Sequence, residues 1–461
     1  MKRDRIYEAI YDKYIAPTKK VRDSYIGVEI EMPIVSLGGK EVNEADVHEA
    51  AELFSGKFGF SPAGHDSAGN ITSFENKQNG DILSFDCSYS NLELSFGKAK
   101  TLFEVYDRFK SYYAFLNDRF NAKDYTLTGM GINPNASHVR GTPIQNERYR
   151  MLYHYLHSYK NHISEFGISF HDRPDFGTFT SASQVQLDVG FDKLIDVINV
   201  TGLLEPYKAM LFANSYLSDH PEYLCVRNML WEHSMQGYNP HNVGMFSQTL
   251  GSTNELIEYI GTQSLYCTMR DGKYIDFDPV RVCDYFNKRE LQGEYYDGER
   301  YRKISFAPIE SDLDYLRTFK FEDLTFRGTI EYRSSCCQPI SDVMTVAAFH
   351  TGLNERIDAL KEILENDRII YSHGYTPTEL QDLFSKRKYP ELAKSSEISN
   401  QLLRILTLAE DGLRSRGHGE EILLAPLFER AQKLTNPARE MLDGIEHGVP
   451  MRKFVEKYAA L

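Results

Sequence analysis

Four segments of the chain alternate apolar and polar residues, and we predict that each forms a β-strand. A strand places successive side chains on opposite faces, so residues two apart point the same way. In the first segment, Val28, Ile30 and Met32 form an apolar face, whereas Glu29 and Glu31 project together from the other. The four predicted strands are Ile26–Val35, Ile82–Ser95, Ser183–Val189 and Leu324–Ser334.

Other segments repeat apolar residues at intervals of three and four, which is typical of amphipathic helices. These predicted helices are Lys100–Phe120, Leu194–Asn214, Asp342–Glu365, Ser395–Arg416, Glu420–Leu434 and Pro437–Leu442. Gly417 and Gly419 interrupt the C-terminal ones. We therefore predict an α+β fold, with an antiparallel-sheet domain and its packed helices over residues 1–375. A helical region over residues 376–461 is expected to pack on the same body.

The polar faces of the other three predicted strands carry amides, carboxylates and arginines. They comprise Asn91, Glu93, Ser95, Gln184, Gln186, Asp188, Arg327, Thr329, Glu331 and Arg333. Glutamate is depleted in strands, and neighbouring carboxylates repel each other. Carboxylate and amide oxygens are ligands that Mg²⁺ and Mn²⁺ prefer, and arginine binds phosphate through paired hydrogen bonds. The pattern therefore admits two interpretations: the solvated face of a sheet, or a site for metal and phosphate.

Composition narrows the functional classes. The 461 residues carry a formal net charge of −14, which argues against a nucleic-acid partner because phosphate binding requires a basic face. No apolar run reaches the length of a membrane span, and the charged start of the sequence is unlike a secretory signal, so we expect a cytoplasmic protein without a membrane partner. The six cysteines lack the spacing of a zinc site and are expected to be mostly free thiols. A Walker motif and a GxGxxG motif are both missing from the sequence.

A series of motifs, in order from about residue 20 to about residue 360, resembles the glutamate–cysteine ligase family of the plant and proteobacterial type. The motifs are GVEIEMPIV, GDILSFDCSYSNLELS, TLTGMGINPN, SQVQLDVGF, EPYKAMLFANSYLSDHPEYLCVRNMLW, MRDGKYIDF and EYRSSCCQPISDVMTVAAFHTGL. The resemblance implies a glutamine-synthetase-like fold, in which curved antiparallel sheets form a cup with helices packed outside. It also implies an ATP- and Mg²⁺-dependent ligase, with Mn²⁺ as an alternative metal, acting as a monomer or homodimer.

The resemblance assigns roles to the polar residues already singled out. Glu29, Glu31, Glu93 and Glu331 fall on positions that bind metal or lie beside it. Arg333 falls on the arginine that faces phosphate, and Arg333 and Glu331 are the predicted catalytic residues. The predicted substrate-binding residues are Arg227, Trp231, Asn91, Gln186 and Arg327. The implied reaction joins glutamate to cysteine through a γ-glutamyl phosphate, without a covalent enzyme nucleophile.

The sequence departs from the family pattern at three places beside the expected site. Asp86–Asn91 replaces a Glu-Pro-Gly-Gly-Gln loop, Ser334–Gln338 replaces a glycine-containing turn, and Gln186 replaces an asparagine. Two alternatives therefore stay open besides a ligase for cysteine. One is a ligase of the same scaffold that joins glutamate or another acid to a different amine; the other is a non-catalytic relative that binds a nucleotide or an amino acid.

Overall fold

A computed structural model describes residues 3–21, 23–139 and 141–461 of the chain. Its strands, numbered in chain order, are β1 Ile26–Ser36, β2 Ser61–His65, β3 Ile71–Glu75, β4 Ile82–Phe85, β5 Asn91–Ala99, β6 Tyr125–Leu127, β7 Ser183–Asp188, β8 Val243–Gly244, β9 Ser264–Arg270, β10 Lys273–Arg281, β11 Leu291–Tyr296, β12 Tyr301–Phe306, β13 Phe319–Lys320, β14 Glu322–Leu324 and β15 Thr329–Tyr332. The helices are α1 Arg3–Ile10, α2 Glu44–Phe58, α3 Leu102–Asn121, α4 Glu147–His157, α5 Leu194–Phe212, α6 Val226–Glu232, α7 Thr253–Thr262, α8 Val282–Tyr285, α9 Thr345–Asn354, α10 Ile357–Glu365, α11 Pro377–Phe384, α12 Ser395–Arg416, α13 Ala425–Lys433, α14 Pro437–Glu446 and α15 Met451–Tyr458.

The largest sheet has nine strands and is antiparallel throughout. Eight of them follow the order β14–β15–β7–β1–β5–β4–β3–β2, and β6 pairs with β1. A second antiparallel sheet has the order β12–β11–β10–β9, and β13 pairs with β8 in parallel. The predicted α+β class is therefore confirmed.

The apolar face of the large sheet forms the core. Val28, Ile30 and Met32 of β1 are at most 3% exposed, and so are Leu92 and Leu94 of β5. Helices α3, α5 and α9 contact this sheet at β5, β14 and β7 respectively. The alternation of the sequence thus separates a buried face covered by helices from the opposite, polar face.

Two predicted strands are wrong in extent, since each is a hairpin. The segment Ile82–Ser95 is divided into β4 and β5 by a turn in which Cys87 adopts the left-handed conformation, with φ of 60°. Leu324–Ser334 is divided into β14 and β15 by a turn at Gly328, whose φ is 77°. Arg327 therefore lies in a turn, and Arg333 just after a strand.

The helix predictions hold with smaller corrections. Asp342–Glu365 is divided into α9 and α10, and Glu420–Leu434 begins as a 3₁₀ turn over Glu420–Leu424 before α13. Helices that were not predicted include α2, α4, α7, α11 and α15. Within the described part of the chain, we find no helix with the length and apolar character needed to cross a membrane.

The C-terminal helices contact the body of the protein closely. Helix α12 crosses α9 where Gly412 meets Gly352; a Cβ atom on Gly412 would lie 1.9 Å from the carbonyl oxygen of Gly352. The buried Arg430 of α13 donates hydrogen bonds to the carbonyl oxygen of Leu211 at 3.0 Å and to Gln338 Oε1 at 2.7 Å. The domain boundary at residue 375 stays a prediction.

Candidate active site

Neighbouring strands bring the predicted acidic residues together on the polar face of the large sheet. In the register of β1 and β5, Glu31 lies opposite Glu93. In that of β15 and β7, Glu331 lies opposite Gln186. Because β15, β7, β1 and β5 are consecutive in the sheet, residues far apart in the chain form one continuous acidic floor.

Two glutamines connect the carboxylates of this floor. Gln184 Nε2 donates to Glu31 Oε1 at 2.7 Å. Gln186 Nε2 donates to Glu331 Oε1 at 2.8 Å and to Glu29 Oε1 at 3.2 Å. The longer side chain of Gln186 therefore connects the glutamates of two strands and fixes their separation.

A carboxylate that the sequence analysis did not assign to metal completes a cluster. One oxygen from each of Glu31, Asp86 and Glu93 lies within 4.8 Å of the others. Asp86 stands at the turn between β4 and β5 and accepts a hydrogen bond from Tyr149 Oη at 3.0 Å. Glu93 accepts one from Ser95 Oγ at 2.6 Å. The only available signal for Asp86 was a carboxylate at the point where the family pattern is replaced.

The electrostatics of the floor favour a bound cation. Burial, together with the charges of Glu331 and Glu93, raises the pKa of Glu29 to about 8. Burial and Asp86 raise the pKa of Glu31 well above its usual value, and that of Glu93 is raised for the same reasons. Oxygen ligands of this kind suit Mg²⁺ or Mn²⁺, whose charge would relieve the repulsion. The residues present therefore fit a divalent metal.

Two arginines border the end of the floor at β15. Arg333 Nη1 donates to Glu331 Oε2 at 2.6 Å, while its buried Nε has no hydrogen-bond partner among the described residues. Arg327 Nη2 donates to Gln186 Oε1 at 2.6 Å. Both arginines thus reach the floor, although Arg327 does so from the tip of a hairpin rather than from a strand.

Arg227 and Trp231 face the floor from helix α6. Arg227 is 2% exposed, and its Nη1 donates to the carbonyl oxygen of Arg333 at 3.0 Å. Arg227 Nε and Trp231 Nε1 are buried and lack hydrogen-bond partners within the described chain. Phe319, which the sequence analysis missed, stacks on Trp231 at 4.0 Å and lies 5.2 Å and 4.8 Å from the guanidinium carbons of Arg227 and Arg333. Buried donors without partners are costly, so this group is suited to an anionic ligand.

Three cavities meet at Arg333 and at Arg148 of α4, which line all of them. The first lies over the acidic floor, has a volume of about 410 Å³ and is lined by Glu29, Glu31, Asp86 and Glu93 among others. The second extends from Glu31 and Asp86 to Arg227, Trp231 and Phe319. The third, of about 740 Å³, lies beside Glu331 and Arg327. Arg148 was missed because nothing in the sequence distinguishes it from a surface arginine on a helix.

An acidic floor with arginines beside it is the arrangement that the sequence resemblance implies, and comparison with known proteins tests the family itself. The profile of glutamate-cysteine ligase family 2 (GCS2) matches residues 25–448. The chain belongs to this family. The predicted family is therefore confirmed.

Curated members of the glutamate-cysteine ligase family are similar to this chain at low identity. The chloroplastic glutamate–cysteine ligase of Brassica juncea is 24% identical over 327 residues, which cover 68% of this chain and 57% of the relative. That of Arabidopsis thaliana is 25% identical over 271 residues, covering 56% of this chain and 48% of the relative. The chain thus spans about half the length of the curated relatives it matches.

A solved structure of a glutamate–cysteine ligase from Francisella tularensis, in complex with AMP, is also similar. It is 10% identical, with a TM-score of 0.46, over 96% of this chain and 88% of the solved one. A bifunctional glutathione synthetase from Pasteurella multocida has 12% identity and a TM-score of 0.34, over 98% of this chain and 53% of the solved one.

Two predicted substrate-binding residues, Asn91 and Gln186, are not among the residues that line these three cavities. Asn91 is 1% exposed, and its Nδ2 donates to the carbonyl oxygen of Thr180 at 2.9 Å while its Oδ1 accepts from Ser181 Oγ at 2.7 Å. Its side-chain amide is thus engaged on both sides by one neighbouring segment. Gln186 and Arg327, by contrast, lie at the floor itself.

Proposed function

We propose that the protein is an ATP-dependent ligase that joins the γ-carboxylate of glutamate to an amine, with cysteine as the expected acceptor. The observation that carries the proposal is the cluster of Glu31, Asp86 and Glu93 beside two arginines, Arg227 and Arg333, whose buried Nε atoms have no hydrogen-bond partner among the described residues. Carboxylates for metal and arginines for phosphate are the parts that phosphoryl transfer requires. A solvated sheet face, the alternative interpretation of the strands, would not bury these charges.

In this proposal, Arg227 binds the α-carboxylate of glutamate. Among the described residues, both hydrogen bonds of its side chain use Nη1, and its buried Nε has no partner. A planar guanidinium can bind a carboxylate through two parallel hydrogen bonds. Trp231 and Phe319 form an apolar wall beside it, which suits the methylene groups of the donor. Fixing one end of glutamate orients the γ-carboxylate, and positioning of this kind lowers the barrier substantially.

The phosphates of ATP are assigned to the region where the cavities meet. Arg333 lies between the acidic floor and the 740 Å³ cavity, so it can contact a phosphoryl group as the group moves from ATP to the carboxylate. The γ-carboxylate attacks the γ-phosphorus, ADP leaves, and the amine then displaces phosphate from the acyl phosphate. Arg333 stabilises the negative charge on the transferring group in the first step.

Glu31, Asp86 and Glu93 would hold a divalent metal, with Glu29 and Glu331 as the further predicted ligands. A bound Mg²⁺ or Mn²⁺ supplies positive charge that offsets the repulsion between these carboxylates and the phosphates of ATP. Hydrogen bonds from Gln184 to Glu31 and from Gln186 to Glu331 orient these two carboxylates. The cytoplasmic location stays a prediction; the curated relatives named above are chloroplastic.

The test incubates the protein with ATP, Mg²⁺ and glutamate, with and without cysteine, and measures ADP release and product mass. The expected product with cysteine is γ-glutamylcysteine, at one ADP per peptide bond. A panel of other amines in place of cysteine identifies the acceptor if cysteine is not used. Glu31→Gln should abolish turnover, whereas Glu75→Gln, on β3 of the same sheet, serves as the matched control. Absence of ATP-dependent amide formation with every acid and amine tried would refute the ligase proposal.

A further inference from the structure

The 740 Å³ cavity has a wall that lies outside the region matched by the family profile. That profile begins at residue 25, but Asp12, Lys13, Tyr14 and Pro17 line the cavity together with Glu331 and Arg333. The segment follows helix α1 and forms a single π-helical turn, Tyr11–Ile15. Part of the proposed nucleotide site is thus contributed by residues that precede the family core.

This N-terminal segment is anchored to the body of the protein. Ile10 and Ile15 are fully buried in the main hydrophobic core. Two ion pairs join the segment to the 3₁₀ turn Glu310–Tyr315: Arg5 Nη2 with Glu310 Oε2 at 2.9 Å, and Lys13 Nζ with Asp314 Oδ1. The segment that forms this wall of the cavity is therefore packed into the fold.

The same cavity is rich in cations. Its lining includes Lys13, Arg148, Arg317, Arg327 and Arg333. The buried Nε of Arg317 has no hydrogen-bond partner in the described part of the chain. Positive groups that converge on one cavity raise the local concentration of anions, and guanidinium and ammonium groups bind phosphate oxygens.

Acidic residues balance part of this charge. Asp314 pairs with Lys13, and Glu331 pairs with Arg333. Asp323 accepts hydrogen bonds from Thr318 Oγ1, and burial raises its pKa to about 6. The Lys13 ammonium has three donors and one hydrogen-bonded acceptor, Asp314, among the described residues, and its side chain is 17% exposed. It can therefore donate to a ligand in the cavity while it stays paired.

We propose that Lys13 is a nucleotide-binding residue, which donates to the phosphates of ATP from a wall formed by the N-terminal segment. The inference rests on the proposed function, because it takes the 740 Å³ cavity as the nucleotide site. It extends that function by making the segment before residue 25 part of the binding site. The ligand recognised is a nucleoside polyphosphate. Adenosine has no phosphate, so its affinity should not depend on Lys13.

The experiment measures the dissociation constant of MgADP by calorimetry for the unmodified protein and for three variants. Lys13→Met keeps the aliphatic stem and removes the charge. Asp314→Asn breaks the same ion pair from the other side but leaves the ammonium in the cavity. Arg5→Met removes the other ion pair between the same two elements, away from the cavity, and is the matched control. Thermal unfolding of each variant is measured in parallel.

Substitutions of the two partners of this ion pair are expected to affect the affinity for MgADP differently. Lys13→Met should weaken MgADP binding about tenfold, the usual scale for losing one charge-assisted contact. Asp314→Asn should leave it unchanged or tighten it, because an acidic group is removed from the cavity, and Arg5→Met should not change it. Adenosine binding should be the same in all four proteins.

Three results would overturn the inference. If Lys13→Met and Asp314→Asn weaken MgADP binding equally and both lower the unfolding temperature, Lys13 is only an anchor. If MgADP binds equally well to every variant, Lys13 does not contact the nucleotide, and the proposed function stands without it. If the unmodified protein does not bind MgADP at all, the nucleotide site itself fails, and the proposed function fails with it.

Discussion

The affinity of the acidic floor for a divalent metal should increase steeply with pH. Burial and the neighbouring Glu331 and Glu93 raise the pKa of Glu29 to about 8, and the pKa values of Glu31 and Glu93 are raised as well. A metal prefers carboxylates without protons, so binding must release the protons that the metal-free cluster holds. Acid therefore competes with the metal for the same oxygens.

The pKa of Glu29 sets the scale of this effect. At about pH 7, one unit below a pKa of about 8, roughly nine in ten Glu29 carboxyls carry a proton. Displacing that proton weakens the apparent affinity about tenfold, or ~1.4 kcal/mol, and the penalty disappears near pH 9. The raised pKa values of Glu31 and Glu93 act in the same direction, so about tenfold is the minimum change expected between pH 7 and pH 9.

The same shifts predict how the stability of the metal-free protein depends on pH. A carboxyl whose pKa is raised by folding binds its proton more tightly in the folded state than in the unfolded one. Its stabilising contribution is thus complete below about pH 4.5 and is lost as pH rises through the folded value, about 8 for Glu29. The unfolding temperature with a chelator present should fall across this range, and added Mg²⁺ should raise it most at the alkaline end.

Calorimetric titration with Mn²⁺ at several pH values, in buffers of different ionisation enthalpy, measures affinity and proton release together. Glu29→Gln removes the group with the pKa of about 8 and should make the profile between pH 7 and pH 9 less steep, with Glu31 and Glu93 accounting for the rest. Glu75→Gln should leave the profile unchanged. A metal affinity independent of pH, with no proton released, would refute the conclusion that these carboxylates form the metal site.

Three other predictions concern the residues around the floor. Arg227→Lys keeps the charge but loses the paired hydrogen bonds, so the KM for glutamate should rise about tenfold with that for ATP unchanged; the reverse pattern would place Arg227 at the nucleotide. Arg333→Ala should lower kcat by about 10²–10³ and Arg327→Ala much less, with unfolding temperatures measured for both; normal turnover of Arg333→Ala would exclude it from the phosphate. Phe319→Leu removes the ring that stacks on Trp231 and contacts the guanidinium groups of Arg227 and Arg333, so it should raise the KM for glutamate and cost about 1 kcal/mol in chemical unfolding; an unchanged KM would show that the stack does not shape the donor site.

The acidic floor could be predicted from the sequence because the two-residue period of a strand is a local property. The side on which Glu29, Glu31, Glu93 and Glu331 lie depends only on their own strands, and it is correct in each case. The order of strands in the sheet depends on contacts between distant segments, and it was not predicted. The two-residue period also continues through the turns between β4 and β5 and between β14 and β15, so each of these hairpins was predicted as a single strand.

Residues on other elements could not be predicted in the same way. Arg148 and Phe319 lie on α4 and β13, and both line the cavity with Glu31 and Arg227, which no local pattern of the sequence predicts. Helix α15 is different, since Phe454, Val455 and Tyr458 already mark a buried stripe at helical spacing. That helix could have been found from its pattern, whereas the arginine and the phenylalanine needed the fold.

The turn between β4 and β5 departs from the family pattern, yet it places a carboxylate, Asp86, in the acidic cluster. Cys87 has φ of 60°, a conformation that costs a non-glycine residue about 1–2 kcal/mol. The turn is held by its surroundings: Ser88 Oγ donates to the carbonyl oxygen of Thr178 at 2.6 Å, and the amide of Ile144 donates to the carbonyl oxygen of Cys87 at 2.8 Å. These contacts hold Cys87 in a conformation that glycine would adopt without steric cost, and they keep Asp86 at the cluster. The replacement thus keeps a carboxylate at the cluster that is proposed to hold a metal, and Cys87 forms part of the wall of the cavity beside it. If the proposed ligase activity is correct, a change in this wall can alter the choice of acceptor amine while Arg333 and the carboxylate cluster stay in place.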